Sequence, residues 1–167
     1  NAIRMPPAGK VEAVRICVPL PDVLKVPPIS QHGNVNEIIT KLGREDQLRK
    51  RAKELLANKE VVTVLGYRAG RRPGTATPAF VTRPEDADLL IFDDRCGTNL
   101  VAYVPRVKHR GKIAIVAKGC DSRSVVALLK EKQIDRGQLV ILGVGCEGVK
   151  ENGRLSDSCT TCAYPNP

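Results

Sequence analysis

The stretch Lys112-Ile-Ala-Ile-Val-Ala-Lys-Gly-Cys-Asp-Ser-Arg-Ser-Val-Val-Ala-Leu128 decides the fold. Lys112 to Ala117 reads as a strand, its residues 113–117 an unbroken apolar run. Gly119-Cys120-Asp121 then turns the chain, and a helix is expected from Ser122 to Gln133. A strand that passes through a tight turn into a helix is the first half of a βαβ unit, whose two strands run parallel.

Working outward, Gln138 to Leu142 supplies the next strand, while Val61 to Gly66 and Ala87 to Phe92 supply two earlier ones. Thr98 to Val104 reads as a short helix stopped by Pro105. The expected fold class is α/β, with a small parallel-sheet βαβ domain over residues 59–142. A basic helical segment covers residues 34–58. There Val35, Ile38, Ile39 and Leu42, then Leu48, Ala52, Leu55 and Leu56, recur at helical spacing. Asn34 and Glu37 suit a capping box, and Gly43 is expected to divide the segment into two helices. Residues 1–33 hold six of the twelve prolines and read as an extended arm with one short strand, Ala13 to Val18. Residues 143–167 show no convincing helix or strand and read as a Cys-rich loop that something must organise.

Composition narrows the function. The chain has 167 residues, 42% hydrophobic and 27% charged, which excludes wholesale disorder. Its apolar runs are too short to span a bilayer. Net charge is +9, of which residues 1–83 carry +8 (15 Lys/Arg, 7 Asp/Glu) and residues 84–167 carry +1 (12 and 11). A basic half points to an anionic partner, whether nucleic acid, a phosphate-bearing cofactor or an acidic protein face. Aromatics make up only 3%, with no Trp, and single-strand binders rely on aromatic stacking, so nucleic acid is disfavoured. No secretory leader is recognised, which leads to the expectation of a cytoplasmic protein. The first residue is Asn and the chain stops at Pro167 in mid-motif, so a fragment of a longer subunit is expected.

Six cysteines carry the strongest signal. Cys17 lies in the Pro-rich arm and reads as a bystander. Cys96, Cys120 and Cys146 each follow an expected strand, so a parallel sheet puts all three on one edge. Cys159-Thr-Thr-Cys162 adds two thiols in the loop that comes next. Cys120 also opens a helix, where free amides and the helix dipole favour a thiolate. Converging thiolates suit either zinc or an iron–sulfur cluster. Structural zinc usually takes two short Cys pairs and this chain has one, whereas clusters accept ligands from separate loops. Structural disulfides are disfavoured without an oxidising compartment. Gly143-Val-Gly-Cys-Glu-Gly148 matches a dinucleotide fingerprint in spacing, but Gly153 interrupts the helix that must follow.

The strand–Cys–helix element at 112–128 resembles that of the coenzyme F-420 hydrogenase/dehydrogenase beta-subunit family, which includes formate dehydrogenase beta subunits. Val140-Ile-Leu-Gly-Val-Gly-Cys-Glu-Gly and Ser158-Cys-Thr-Thr-Cys-Ala are similar to the elements that come next, and the likeness covers about residues 60–164. It implies a 4Fe–4S cluster held by Cys120, Cys146, Cys159 and Cys162, with Cys96 as an alternative ligand. It further implies FAD, with Arg68 and Lys118 beside strand ends as contacts for the flavin phosphates and hydride exchange at the flavin. The expected function is an iron–sulfur, flavin-linked electron-transfer subunit of an anaerobic oxidoreductase complex. Its partners would be the catalytic subunit of a hydrogenase or dehydrogenase and a soluble carrier: a deazaflavin, ferredoxin or nicotinamide. The alternative is a zinc-stabilised basic module that binds nucleic acid or serves as a scaffold, without redox activity.

Overall fold

A computed structural model describes residues 37–39 and 44–163. The Pro-rich arm with Cys17, the Asn34 cap and the expected break at Gly43 lie outside the described residues. In chain order the elements are strand β1 (Glu37–Ile39), helix α1 (Arg44–Ala57), strands β2 (Thr63–Ala69) and β3 (Ala76–Val81), and helix α2 (Val104–Val107). Strand β4 (Ile113–Ala117), helix α3 (Gly119–Lys130), strand β5 (Leu139–Val144), strands β6 (Lys150–Glu151) and β7 (Arg154–Leu155) and the one-turn helix α4 (Asp157–Thr160) follow.

The main sheet has the order β1-β5-β4-β2-β3. Its first four strands are parallel and β3 returns antiparallel to β2 at the edge. The expected α/β class and parallel sheet are therefore present. All five residues of β4 are buried, as a central strand covered on both faces requires. The chain crosses the sheet one way from β1 to β2 and the other way from β2 through β4 to β5, a reversal that right-handed crossovers turn into helices on opposite faces. Helix α1 packs through Leu48, Ala52, Leu55 and Leu56, one stripe at helical spacing. Val125 is the fully inward apolar residue of α3, with Leu128 and Leu129 packed at the margin of the core.

Several local expectations differ from the structure. Residues 37–39 form a strand paired in parallel with Leu142–Val144, so the helical segment begins only at Arg44. Val35, Ile38 and Ile39 satisfied a helical spacing over too few residues to tell it from a strand. Ala87 to Phe92 is not a strand. A 3-10 helix over Pro84–Leu89 takes its place, and Ile91 makes only an isolated bridge to Tyr67. Pro84 at the first turn with Glu85 and Asp86 behind it was the helix-start signal there. Pro105 sits in the first turn of α2 rather than stopping a helix, since a missing N–H costs nothing at that position. Strand β3 was not anticipated, because Pro78 lies within it. Residues 143–163 contain the β6–β7 hairpin and α4, not bare loop. Among the described residues, no helix is long and apolar enough to cross a membrane.

Candidate metal centre at the carboxyl edge of the sheet

Register places the ends of the parallel strands together: Ile39 is level with Val144, and Ala117 with Gly143. Lys118 and Cys120 leave the sheet at the end of β4, and Cys146 leaves it at the end of β5. Cys120, Cys146, Cys159 and Cys162 line one cavity of about 300 Å³, together with Lys118, Glu147, Gly148, Val149 and Ser158. Cys120 and Cys162 are exposed, Cys146 and Cys159 are half-buried, and all five described cysteines are free thiols.

The loop after β5 is folded around two of these sulfurs. The amide of Gly148 donates to Sγ of Cys146 at 3.4 Å, and that of Val149 to Sγ of Cys159 at 3.3 Å. Such amide donors reduce the negative charge that a metal-bound sulfur must carry. Gly148 has φ +101°, and a Cβ there would lie 2.4 Å from Cδ1 of Leu155 and 3.4 Å from Cβ of Cys159. The glycine thus lets the backbone pass close to the thiol loop, and the hairpin β6–β7, not a helix, follows it. The dinucleotide spacing at 143–148 is accordingly a coincidence of glycines. The turn carrying Cys159 is closed by its amide on Ser156 O at 2.8 Å, and Cys162 donates to Cys159 O at 3.3 Å.

The remaining site expectations land elsewhere. Cys96 does not border the cavity. It is fully buried, and its sulfur accepts from the Asp93 amide at 3.5 Å. Burial is the main reason its thiol is pushed up to about 12. Arg68 is exposed and lines a different depression, formed with Arg71, Arg72 and Thr75 of the β2–β3 hairpin. Lys118 is not a surface cation either. Its ammonium is held inside by Tyr67 and Asp121, at the wall of the cavity that the four cysteines line. Burial, followed by Asp121, raises the Cys120 thiol, while Lys118 opposes them. The helix start alone therefore does not make Cys120 a thiolate.

Two supports escaped the sequence reading. Arg44, the first residue of α1, donates to Gly145 O at 2.8 Å and pairs with Glu147 at 3.0 Å, bracketing Cys146. Lys150 ties the hairpin to the loop before Cys96, its amide on Asp94 O at 2.7 Å and its ammonium on the Asp94 carboxylate at 3.0 Å. Most cations of α1 are engaged: Arg49 bonds Leu90 O and Glu45, Arg51 pairs with Glu54, and Lys53 with Asp88, while Lys50 is exposed. Arg49 and Lys53 thereby tie α1 to the segment around Asp88 and Leu90.

Among the described residues, no three His, Cys, Asp or Glu side chains are drawn together tightly enough to hold a metal ion. A tetrahedral zinc with Zn–S near 2.3 Å needs four sulfurs within about 4 Å of one another. A cluster with several atoms between its ligands is held by thiols set wider apart around a cavity. Four thiols around one cavity are a donor set that either metal centre accepts.

Fold and site together define an α/β domain that presents a four-cysteine cavity beyond its parallel strand ends. No family model matches the chain. It is similar to the F420-dependent formate dehydrogenase 1 subunit beta of Methanococcus maripaludis, 31% identical over 97 residues, or 58% of this chain. The match covers 25% of that subunit, so the chain spans about a quarter of the length of this relative.

Proposed function

We propose that this chain is the electron-transfer part of an oxidoreductase subunit, with Cys120, Cys146, Cys159 and Cys162 as the ligands of a 4Fe–4S cluster. One observation carries the reading: four thiols from three separate segments border a single cavity at the carboxyl edge of the sheet. Amide donors already aimed at two of those sulfurs support it, as does the redox enzyme named among the relatives. A bound cluster would supply one-electron storage. The chain's own residues grip it, aim dipoles at its sulfurs and place a buried cation at the cavity wall. On this reading the catalytic partner is a dehydrogenase subunit. The F420 in the relative's name favours a deazaflavin over ferredoxin or nicotinamide as the carrier. FAD and a cytoplasmic setting complete the proposal.

Anaerobic purification followed by iron, sulfide and zinc analysis tests this directly. The expected result is roughly four iron and four sulfide per chain and a visible band that dithionite bleaches. A colourless, zinc-bearing protein without iron would establish the zinc-stabilised module instead.

A further inference from the structure

Lys118 carries its charge into the interior. The residue is 2% exposed, at the point where β4 passes into α3. Its ammonium donates to the phenol oxygen of Tyr67 at 2.5 Å and to Thr98 O at 3.4 Å, and pairs with Asp121 at 3.0 Å. Asp121 also accepts the Lys118 amide at 3.1 Å, and the Tyr67 hydroxyl donates to Thr98 O. Removing two charges from water costs several kcal/mol for each ion, and an apolar pair of similar volume often serves stability as well or better. Asp121 also caps the start of α3, but an ammonium is not needed for that, and its position gives the pair a second use. Lys118 lines the cavity beside all four thiols, while Oδ1 of Asp121 stands 3.9 Å from Sγ of Cys120. Two fixed charges of opposite sign flank the place where redox charge would change.

We propose that Lys118 and Asp121 form a buried electrostatic lever that sets the redox potential at the four-cysteine cavity, Lys118 raising it and Asp121 lowering it. This rests on the cluster reading given above. Reduction by one electron adds one negative charge at the cavity, which a neighbouring ammonium stabilises and a neighbouring carboxylate opposes. In a poorly screened interior both effects are much larger than in water. Tyr67 contributes no charge. Burial first, then Asp121 and the nearby cysteines, push its phenol up, so it stays protonated and acts as a positioning residue for the ammonium.

The test is an anaerobic potentiometric titration with dithionite on the loaded full chain, comparing wild type, Lys118→Met, Asp121→Asn and the double variant. Met keeps the length of the buried stem, and Asn keeps an acceptor for the Lys118 amide. Lys118→Met is expected to shift the equilibrium at least tenfold toward the oxidised form, about 59 mV lower for one electron. Asp121→Asn should shift it the opposite way, and the double variant should return toward wild type. A merely structural pair would not give opposite signs that cancel. Should Lys118→Met fail to fold, the double variant must still titrate below Asp121→Asn, since the two differ only by the lysine. Loaded variants with unmoved potentials, or shifts of the same sign, overturn the lever and leave the cluster reading standing. Wild type without iron overturns both.

Discussion

The guanidinium of Arg44 donates to the carbonyl of Gly145 at 2.8 Å, joining residues 101 positions apart in the chain. Its second contact is an ion pair with the Glu147 carboxylate, so the first residue of α1 brackets Cys146 with a backbone tie before it and a side-chain tie after it. Arg44→Met removes that grip without disturbing the apolar stripe of α1. We expect an unchanged far-ultraviolet spectrum, and about 1 kcal/mol less hold on the loop, hence roughly fivefold faster loss of iron to a chelator. An unchanged release rate would show that the Cys146 loop is positioned without α1.

Gly148 and Gly153 both have positive φ, at +101° and +77°, but only Gly148 is also crowded. Gly148→Ala must drive a methyl into Leu155 beside the Cys159 turn, so it should cost about 1–2 kcal/mol and reduce iron per chain. Gly153→Ala meets nothing within 4 Å and should cost only the backbone strain, with iron content intact. Iron assays on the two purified variants separate crowding at the site from turn strain. Equal losses would argue against a close approach at Gly148.

Serine in place of Cys120, Cys146, Cys159 or Cys162 should each abolish or sharply weaken the visible band. Cys96 should behave differently, because its sulfur lies in the core against Asp93. Cys96→Ala leaves a small void worth about 1 kcal/mol and lowers Tm by about 2–4 °C, while iron stoichiometry is unchanged. Loss of iron in Cys96→Ala would return it to the ligand set.

The buried Cys96 thiol also gives stability a pH dependence. Burial raises it from the ordinary 9.0 to about 12, so the native state keeps a proton that the unfolded chain releases. Native protein then binds more protons than unfolded protein, and stability falls as pH rises through this window. Urea midpoints measured from about pH 8 to about pH 10 should decline in wild type and decline less in Cys96→Ala. Parallel slopes would mean that other groups, the buried Tyr67 among them, dominate.

Much of this was legible in the residue pattern. Lys112 to Leu128 identified the central strand and the helix after it, since an unbroken apolar run followed by a glycine turn has few other uses. Once the sheet was known to be parallel, Cys120 and Cys146 necessarily shared an edge. The paired Cys159 and Cys162 lie close in sequence, so no tertiary information was needed to associate them with each other. Strand β1, strand β3 and the 3-10 helix at Pro84–Leu89 were harder, because short apolar runs satisfy both periods and Pro78 argues locally against a strand that an edge can tolerate.

By itself, then, the chain's order of residues determined the α/β class and which thiols leave the ends of β4 and β5, because both depend on contiguous patterns. Only the tertiary structure separated Cys96 from the other thiols, since core and cavity differ by where a loop of the same composition packs. Only the tertiary structure, too, placed the charge of Lys118 in the interior. Asp121 three residues on hints at a partner, but the phenol of Tyr67 comes from another strand 51 positions away. Burial of a charge depends on partners that converge from distant segments, and no local pattern records that convergence.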